Sequence, residues 1–120
     1  MPVDLAPERL PEDTDAERSL LATLCAPGAE PMAADIAFAL EVEDFVHPAH
    51  RAVFKALRAL LEARLEVNAL TLKDVLDQEG ALNAVGGYPG LVELLSAEEV
   101  GRPQALADLL RRKHRQRRTR

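Results

Sequence analysis

Aromatic side chains are scarce in this chain of 120 residues, which has no Trp, one Tyr and three Phe. Hydrophobic residues nevertheless make up 48% of the sequence, so the core has to be built mainly from Leu, Val and Ala. A sheet would favour more β-branched and aromatic residues. The composition therefore favours an all-α protein with one core, and the helix signals along the chain predict a compact bundle of about six helices.

Only one cysteine is present, so the chain cannot form an internal disulfide. Cys25 follows an apolar helical stripe and has no base beside it in sequence, which predicts a buried, inert thiol and not a nucleophile. The apolar runs are far too short to span a membrane, and no basic segment followed by an apolar one opens the chain as a signal peptide. These absences predict a cytoplasmic protein with no membrane partner.

Motifs for nucleotide or metal chemistry are also missing. No Gly-x-x-x-x-Gly-Lys-Ser/Thr loop is present to hold nucleotide phosphates, which excludes ATP hydrolysis by that route. His47 and His50 lie three residues apart near Asp44, as they would in a metal site or an acid–base cluster. Because a second ligand pair and a cysteine cluster are lacking, we expect structural roles, no metal and no cofactor. We expect His47 to end a loop before Pro48, and His50 to donate to a backbone carbonyl.

Arg51, which follows His50, has two possible roles. An ion pair with Glu17 or Asp44 would fix its helix against the neighbouring helices. An exposed guanidinium would instead face a partner protein. We favour the ion pair, which gives Arg51 a role in holding the fold together.

Charge is distributed unevenly along the sequence. The formal net charge is −5, yet residues 111–120 contain seven basic groups and no acidic one, and an acidic body precedes them. The basic residues are Arg111, Arg112, Lys113, Arg115, Arg117, Arg118 and Arg120. Three interpretations of this basic tail remain open: contacts with nucleic-acid phosphates, a disordered end that aids solubility, or a helix that continues from Leu110. Because no aromatic residue lies among them, any binding of nucleic acid would be nonspecific.

Helix signals divide the chain into three parts. Residues 1–12 contain three prolines and are expected to form an extended N-terminal arm, residues 13–110 a helical domain, and residues 111–120 the basic tail. The first helix is expected to begin at Thr14 in a capping box with Glu17, and to bury Leu20, Leu21 and Leu24. The later helices are expected over about residues 32–42 and 48–64, from Thr71 to Gly80, after a tight turn at Gly86 and Gly87, and from Pro103 onwards.

An ordered set of residues between positions 40 and 87 is the most informative feature of the sequence. The set comprises Leu40, Asp44, Phe45, Pro48, His50, Arg51, Phe54, Leu60, Leu61, Val67, Thr71, Leu76, Gly80, Leu82, Gly86 and Gly87. Upstream stand Pro11, Asp15, Ala16, Glu17, Leu20, Leu21 and Ala22. Together they resemble the N-terminal domain of the DnaB-type bacterial replicative helicases, over roughly residues 8–113. Val46 departs from this pattern, because the family usually has an aromatic residue there.

The resemblance implies a helical collar that forms oligomers and binds a primase, without a catalytic step of its own. Its structural motif would consist of Glu17, Phe45, His50, Arg51, Gly86 and Gly87. It also places Leu106, Leu109 and Leu110 at the start of a hairpin helix, where we expect an exposed apolar stripe to form a partner interface. The family's second hairpin helix and ATPase domain are not among these 120 residues. We therefore expect no enzyme activity. Three explanations of the early end of the sequence remain open: an isolated domain cut from a full helicase, a natural standalone paralogue, or a frame change that replaced the family's hairpin with an unrelated basic tail.

These observations predict a non-catalytic DNA-replication module that mediates oligomerisation and binds a replicative helicase, a primase or both. A small, nonspecific DNA-binding protein that acts through residues 111–120 is the alternative function. An enzyme that uses His47, His50 and Asp44 is a third hypothesis, and it would require a bound metal ion.

Overall fold

The computed structural model describes residues 13–118, which form seven α-helices, one 3₁₀ turn and no strand. The helices are α1 (Asp13–Leu24), α2 (Met32–Ala39), α3 (Pro48–Glu62), α4 (Ala69–Gln78), α5 (Leu82–Val85), α6 (Gly87–Leu95) and α7 (Pro103–Arg118), and the 3₁₀ turn is Val42–Asp44. The predicted all-α fold is confirmed for this part of the chain. The predicted arm, residues 1–12, lies outside the described residues, as does Arg120.

Helix α3 forms the centre of the bundle and contacts α1, α2, α4 and α5. It begins at Pro48, where the missing N–H is no loss because first-turn amides have no partner within the helix. Val53, Phe54 and Leu57 on its inner side are completely buried. The Phe54 ring packs against that of Phe45, with 4.8 Å between the ring centroids. The helix that the sequence predicts from residue 48 is therefore confirmed, and it lies at the centre of the bundle.

The start of α4 differs from the prediction by three residues. Asn68, and not Thr71, is the capping residue, and its Oδ1 accepts a hydrogen bond of 2.9 Å from the backbone N–H of Thr71. In return the Thr71 hydroxyl oxygen accepts one of 2.9 Å from the backbone N–H of Asn68. This reciprocal arrangement is a capping box, in which Thr71 occupies the third helical position. The sequence analysis recognised Thr71 but assigned it the wrong position in the motif.

Glycines with a positive φ separate the helices between residues 78 and 95. Gly80, at φ 71°, follows α4 and ends it as predicted. Gly86, at φ 98°, lies between α5 and α6, and a Cβ atom there would stand 3.3 Å from the Gly90 Cα. A larger residue at Gly86 would therefore be both strained and crowded. Helix α5 was not predicted, because four residues are too few to show a helical period.

Helix α7 continues without a break from Pro103 through Leu110 to Arg118, so the described part of the basic tail is helical. Its inner face packs against α1, α2 and the 3₁₀ turn. Leu106 and Leu110 are buried there, and Leu109 is half-buried. The expectation that these three leucines form an exposed stripe is wrong, because the bundle itself covers them. The interface predicted at this stripe thereby loses most of its accessible surface.

None of the helices described between residues 13 and 118 is long and apolar enough to cross a membrane. The single cysteine is buried at the end of α1, as predicted. Burial raises the pKa of the Cys25 thiol from 9.0 to about 12, because the thiolate would lose its hydration. A thiolate is therefore strongly disfavoured at this position, which agrees with the predicted inert role.

Stability should fall in alkaline solution in a way that depends on Cys25. Above pH 9 the unfolded chain releases the thiol proton while the folded chain keeps it until about pH 12, so unfolding gains a favourable step. Between about pH 8 and pH 10, the free energy of unfolding should fall by about 1.4 kcal/mol more in the original chain than in Cys25→Ala. Urea titrations at both pH values measure the difference. Equal losses in the two proteins would show that the thiol is accessible.

Candidate interaction sites

The carboxylate of Glu17 is completely buried on α1 and joins that helix to the beginning of α3. Its Oε2 accepts a hydrogen bond of 2.6 Å from the backbone N–H of Val46, and its Oε1 accepts bonds from His50 Nδ1 at 2.6 Å and from the backbone N–H of His47 at 3.4 Å. The predicted capping box with Thr14 is therefore wrong. Glu17 points into the bundle, where these fixed donors compensate the loss of water around the carboxylate.

The histidines near Glu17 have structural partners. His47 directly precedes α3, as predicted, and a hydrogen bond of 2.6 Å joins its Nε2 to the Thr14 hydroxyl. The two imidazole rings of His47 and His50 lie 5.0 Å apart. His50 donates to the Glu17 carboxylate, so the prediction that it donates to a backbone carbonyl is wrong. Within residues 13–118, no three His, Cys, Asp or Glu side chains are grouped so that they could bind a metal ion.

Arg51 also holds the loop before α3, but through a different partner from those predicted. Its Nε donates a hydrogen bond of 2.6 Å to the backbone carbonyl of Phe45. The carboxylates that we expected it to reach accept hydrogen bonds from histidines instead, Glu17 from His50 and Asp44 from His114. The ion pair that we favoured for Arg51 is therefore wrong, and its contact joins the first turn of α3 to the loop before that helix.

A second buried carboxylate, that of Asp44, joins the 3₁₀ turn to α7. Its Oδ2 accepts a hydrogen bond of 2.8 Å from the backbone N–H of Glu41, and its Oδ1 accepts one of 2.7 Å from His114 Nδ1. One turn further along α7, the Arg117 guanidinium donates to the backbone carbonyl of Glu43 at 3.1 Å. This attachment was not predicted, because Asp44 and His114 are 70 residues apart and His114 lies among basic residues that were interpreted as one group.

The basic residues of α7 do not all have the same surroundings. Arg111, Arg112 and Arg115 are exposed, and we call these three side chains the basic face. Lys113 is half-buried, and Arg117 is exposed but contacts the 3₁₀ turn. The basic face is therefore the part of the predicted basic tail that is open to a partner and described by the structure.

An apolar groove lies between α2 and the end of α3, with a volume of about 660 Å³. We call it the Phe38–Leu65 groove; Ala34 and Leu61 also line it, and Glu30, Arg64 and Glu66 form its rim. The side chains of Phe38 and Leu65 are 47% and 57% exposed. The Arg58 guanidinium lies over the Phe38 ring, 5.8 Å from its centre, which is within the range of a cation–π contact. Sequence reasoning missed the groove, because Phe38 and Leu65 belong to segments with separate periodic patterns.

Known proteins match this arrangement along most of the chain. The family model of the DnaB-like helicase N terminal domain matches residues 9–112. The chain belongs to this family. The replicative DNA helicase DnaB of Mycobacterium leprae (strain TN) is 34% identical over 86 residues, a match that covers 72% of this chain and 14% of the relative. The chain thus spans a small part of the length of that helicase.

A solved structure supports the same assignment. The crystal structure of the N-terminal domain of DnaB helicase from Mycobacterium tuberculosis matches with a TM-score of 0.78 and 29% sequence identity. The match covers 90% of this chain and 76% of that chain. The family resemblance inferred from the sequence is therefore confirmed. This DnaB-like domain is a module of the replicative helicase type, and the region that matches is the non-catalytic N-terminal one.

Removing the Glu17 carboxylate should strongly destabilise the domain. In Glu17→Ala the imidazole of His50 and the backbone N–H of Val46 lose their shared acceptor inside the protein, and we expect a loss of about 3–5 kcal/mol in the free energy of unfolding. The matched control is Glu62→Ala, which removes an exposed carboxylate 3.8 Å from Arg58 and should cost about 0.5 kcal/mol or less. Urea denaturation measures both. Similar losses would contradict a special role for Glu17.

Proposed function

We propose that this DnaB-like domain acts as an assembly and recruitment module in DNA replication. In this role it associates with further copies of itself and binds a replicative helicase or a primase, and it performs no chemical step. Membership of the DnaB-like N-terminal family supports a place in the replication machinery. The observation that carries the proposal of a protein partner is the exposed, apolar Phe38–Leu65 groove.

The groove has the properties of a protein-binding surface. Phe38 and Leu65 are large apolar side chains that remain about half exposed although they adjoin the core. A partner that covered them would complete their burial, and full burial of such a side chain is worth about 1.5–3 kcal/mol. The charged rim would surround this apolar centre, as polar rims surround the centres of protein interfaces. The groove therefore replaces the buried Leu106 and Leu110 as the proposed partner interface.

Polar substitutions in the groove should weaken association without unfolding the domain. We expect the double variant Phe38→Ser/Leu65→Ser to raise the Kd of self-association, or of binding to the helicase or primase, by about tenfold to 150-fold, since about half of two apolar burials is lost. The matched control is Leu70→Ser, because Leu70 is 67% exposed on α4 and does not line the groove. Sedimentation analysis and binding titrations provide the Kd values, and circular dichroism confirms folding.

Two results would contradict the proposed function. A chain that stays monomeric at all concentrations and binds neither purified helicase nor primase would not be an assembly module. Equal binding by the double variant and the Leu70→Ser control would leave assembly intact but would exclude the groove as its interface.

Contact with nucleic acid through α7 is a second candidate function. The observation that favours it is the basic face, in which three guanidinium groups are exposed on one ordered helix. Guanidinium groups donate paired hydrogen bonds that fit phosphate oxygens. No aromatic side chain lies among them to stack on bases, so the proposed contact is with the phosphate backbone and is independent of sequence.

Neutralising the basic face should weaken DNA binding and its salt dependence together. For Arg111→Gln/Arg112→Gln/Arg115→Gln, the slope of log K against log salt should decrease in magnitude by about 2.7, which is about 0.9 for each lost phosphate contact. The matched control removes three other exposed positive charges, in Lys55→Gln/Arg64→Gln/Arg102→Gln. Fluorescence anisotropy with duplex DNA over a range of salt concentrations measures both slopes. The same reduction in the control would indicate a general charge effect and no specific site.

A further inference from the structure

The second half of α7 carries a high density of positive charge. The apolar inner face of α7 ends at Leu110. Beyond it, positive charges repeat at a spacing of four residues, in the pairs Arg111 and Arg115 and Lys113 and Arg117. Each pair of like charges at this spacing destabilises a helix by about 0.2–0.5 kcal/mol. Favourable interactions of the terminal cations with the helix dipole offset part of this repulsion but supply no contact with the bundle.

The 3₁₀ turn attaches this segment to the bundle through two hydrogen bonds. Asp44 is held in place within the turn, because the backbone N–H of Glu41 donates to its Oδ2. Its other oxygen accepts the hydrogen bond from His114, and both side chains are largely buried, with 6% and 14% of their area exposed. We call this pair the Asp44–His114 clamp. The contact from Arg117 to the Glu43 carbonyl lies beside it and strengthens the same attachment.

The clamp continues the inner stripe of α7 formed by Leu106 and Leu110, so the basic face stays on the outer surface of the helix. At about 100° per residue, a helix with His114 inwards has Arg111, Arg115 and Arg112 at about 60°, 100° and 160° around its axis from His114, within one arc of about 100°. All three are exposed in the structure. An unattached segment would carry the same charges, but it would have to become ordered each time it bound a phosphate backbone.

We propose that the Asp44–His114 clamp orders residues 111–118 as a helix and thereby holds the basic face in the conformation that binds nucleic-acid phosphates. The inference rests on the second candidate function, nucleic-acid contact through α7, and adds its positioning residues. Neither Asp44 nor His114 touches the nucleic acid. Each acts through the order of the segment, so loss of the clamp lowers the fraction of molecules that are ready to bind and raises the apparent Kd in proportion.

Two variants of one residue test the clamp in the full chain. His114→Ala removes the donor to Asp44. His114→Asn retains a donor, because the asparagine amide nitrogen occupies about the same place on the side chain as the imidazole Nδ1. Hydrogen exchange followed by NMR reports the order of the amides of residues 111–117, with the α3 amides as an internal control. Fluorescence anisotropy with a duplex DNA oligonucleotide reports the apparent Kd.

We expect His114→Ala to lose exchange protection over residues 111–117 while α3 keeps it. If about one molecule in five remains ordered, the apparent Kd for DNA rises about fivefold. His114→Asn should stay close to the original protein in both measurements. This pattern would not follow from loss of the imidazole ring alone, because both variants lack it.

The proposal and the function on which it rests can fail separately. Unchanged exchange protection in His114→Ala would overturn the clamp, whatever the DNA measurement shows. Lost protection with an unchanged Kd would overturn its role in positioning but leave DNA binding through the basic face intact. Absence of DNA binding by the original protein would overturn the candidate function and the positioning role together, while the exchange data would still decide whether Asp44 and His114 order the helix.

Discussion

The hydrogen bonds of the buried Glu17 carboxylate are the constraint on which the rest of the bundle depends. A carboxylate without solvent contact costs several kcal/mol unless hydrogen-bond donors surround it, so the native fold has to bring donors to α1. They come from Val46, His47 and His50, which are the end of a loop and the first turn of α3. The position of the central helix against α1, and with it the packing of Phe45 on Phe54, follows from this single requirement.

The loop before α3 is held by carboxylates at both ends. Glu17 binds the backbone of Val46 from outside the loop, whereas Asp44 belongs to the loop and binds its beginning at Glu41. Asp44 therefore has one oxygen for its own turn and one for His114 of α7. A change in the shape of this turn would be transmitted to two helices. Asp44 and Phe45 are adjacent in the family pattern, yet through the hydrogen bond to His114 this local pair also contacts a helix 70 residues further along the chain.

Helical periodicity predicted most of the fold. The buried stripe of α1, the beginnings of α3 and α7 at proline, and the glycine after α4 follow from short-range rules that tertiary contacts did not override. The predictions that were wrong concern residues that fit either of two roles. A Thr-x-x-Glu sequence is typical of a capping box, but the Glu17 carboxylate accepts hydrogen bonds from the loop and helix on the other side of the bundle. Leu106 and Leu110 could line a hairpin interface or pack into the core of the bundle, and the sequence does not distinguish these roles. Phe38 and Leu65 line one groove only after α2 and α3 have packed.

The packing of α7 on the core determines which way the basic face points. Leu106, Leu110 and His114 follow one another at intervals of four residues, so they form one stripe along α7 that changes from apolar to polar where it leaves α1 and reaches the acidic turn. Rotating α7 to turn the arginines inwards would expose both leucines and break the contact with Asp44. Burial of the leucines thus fixes the direction of the first half of the helix. The proposed clamp between Asp44 and His114 then acts on the order of the second half.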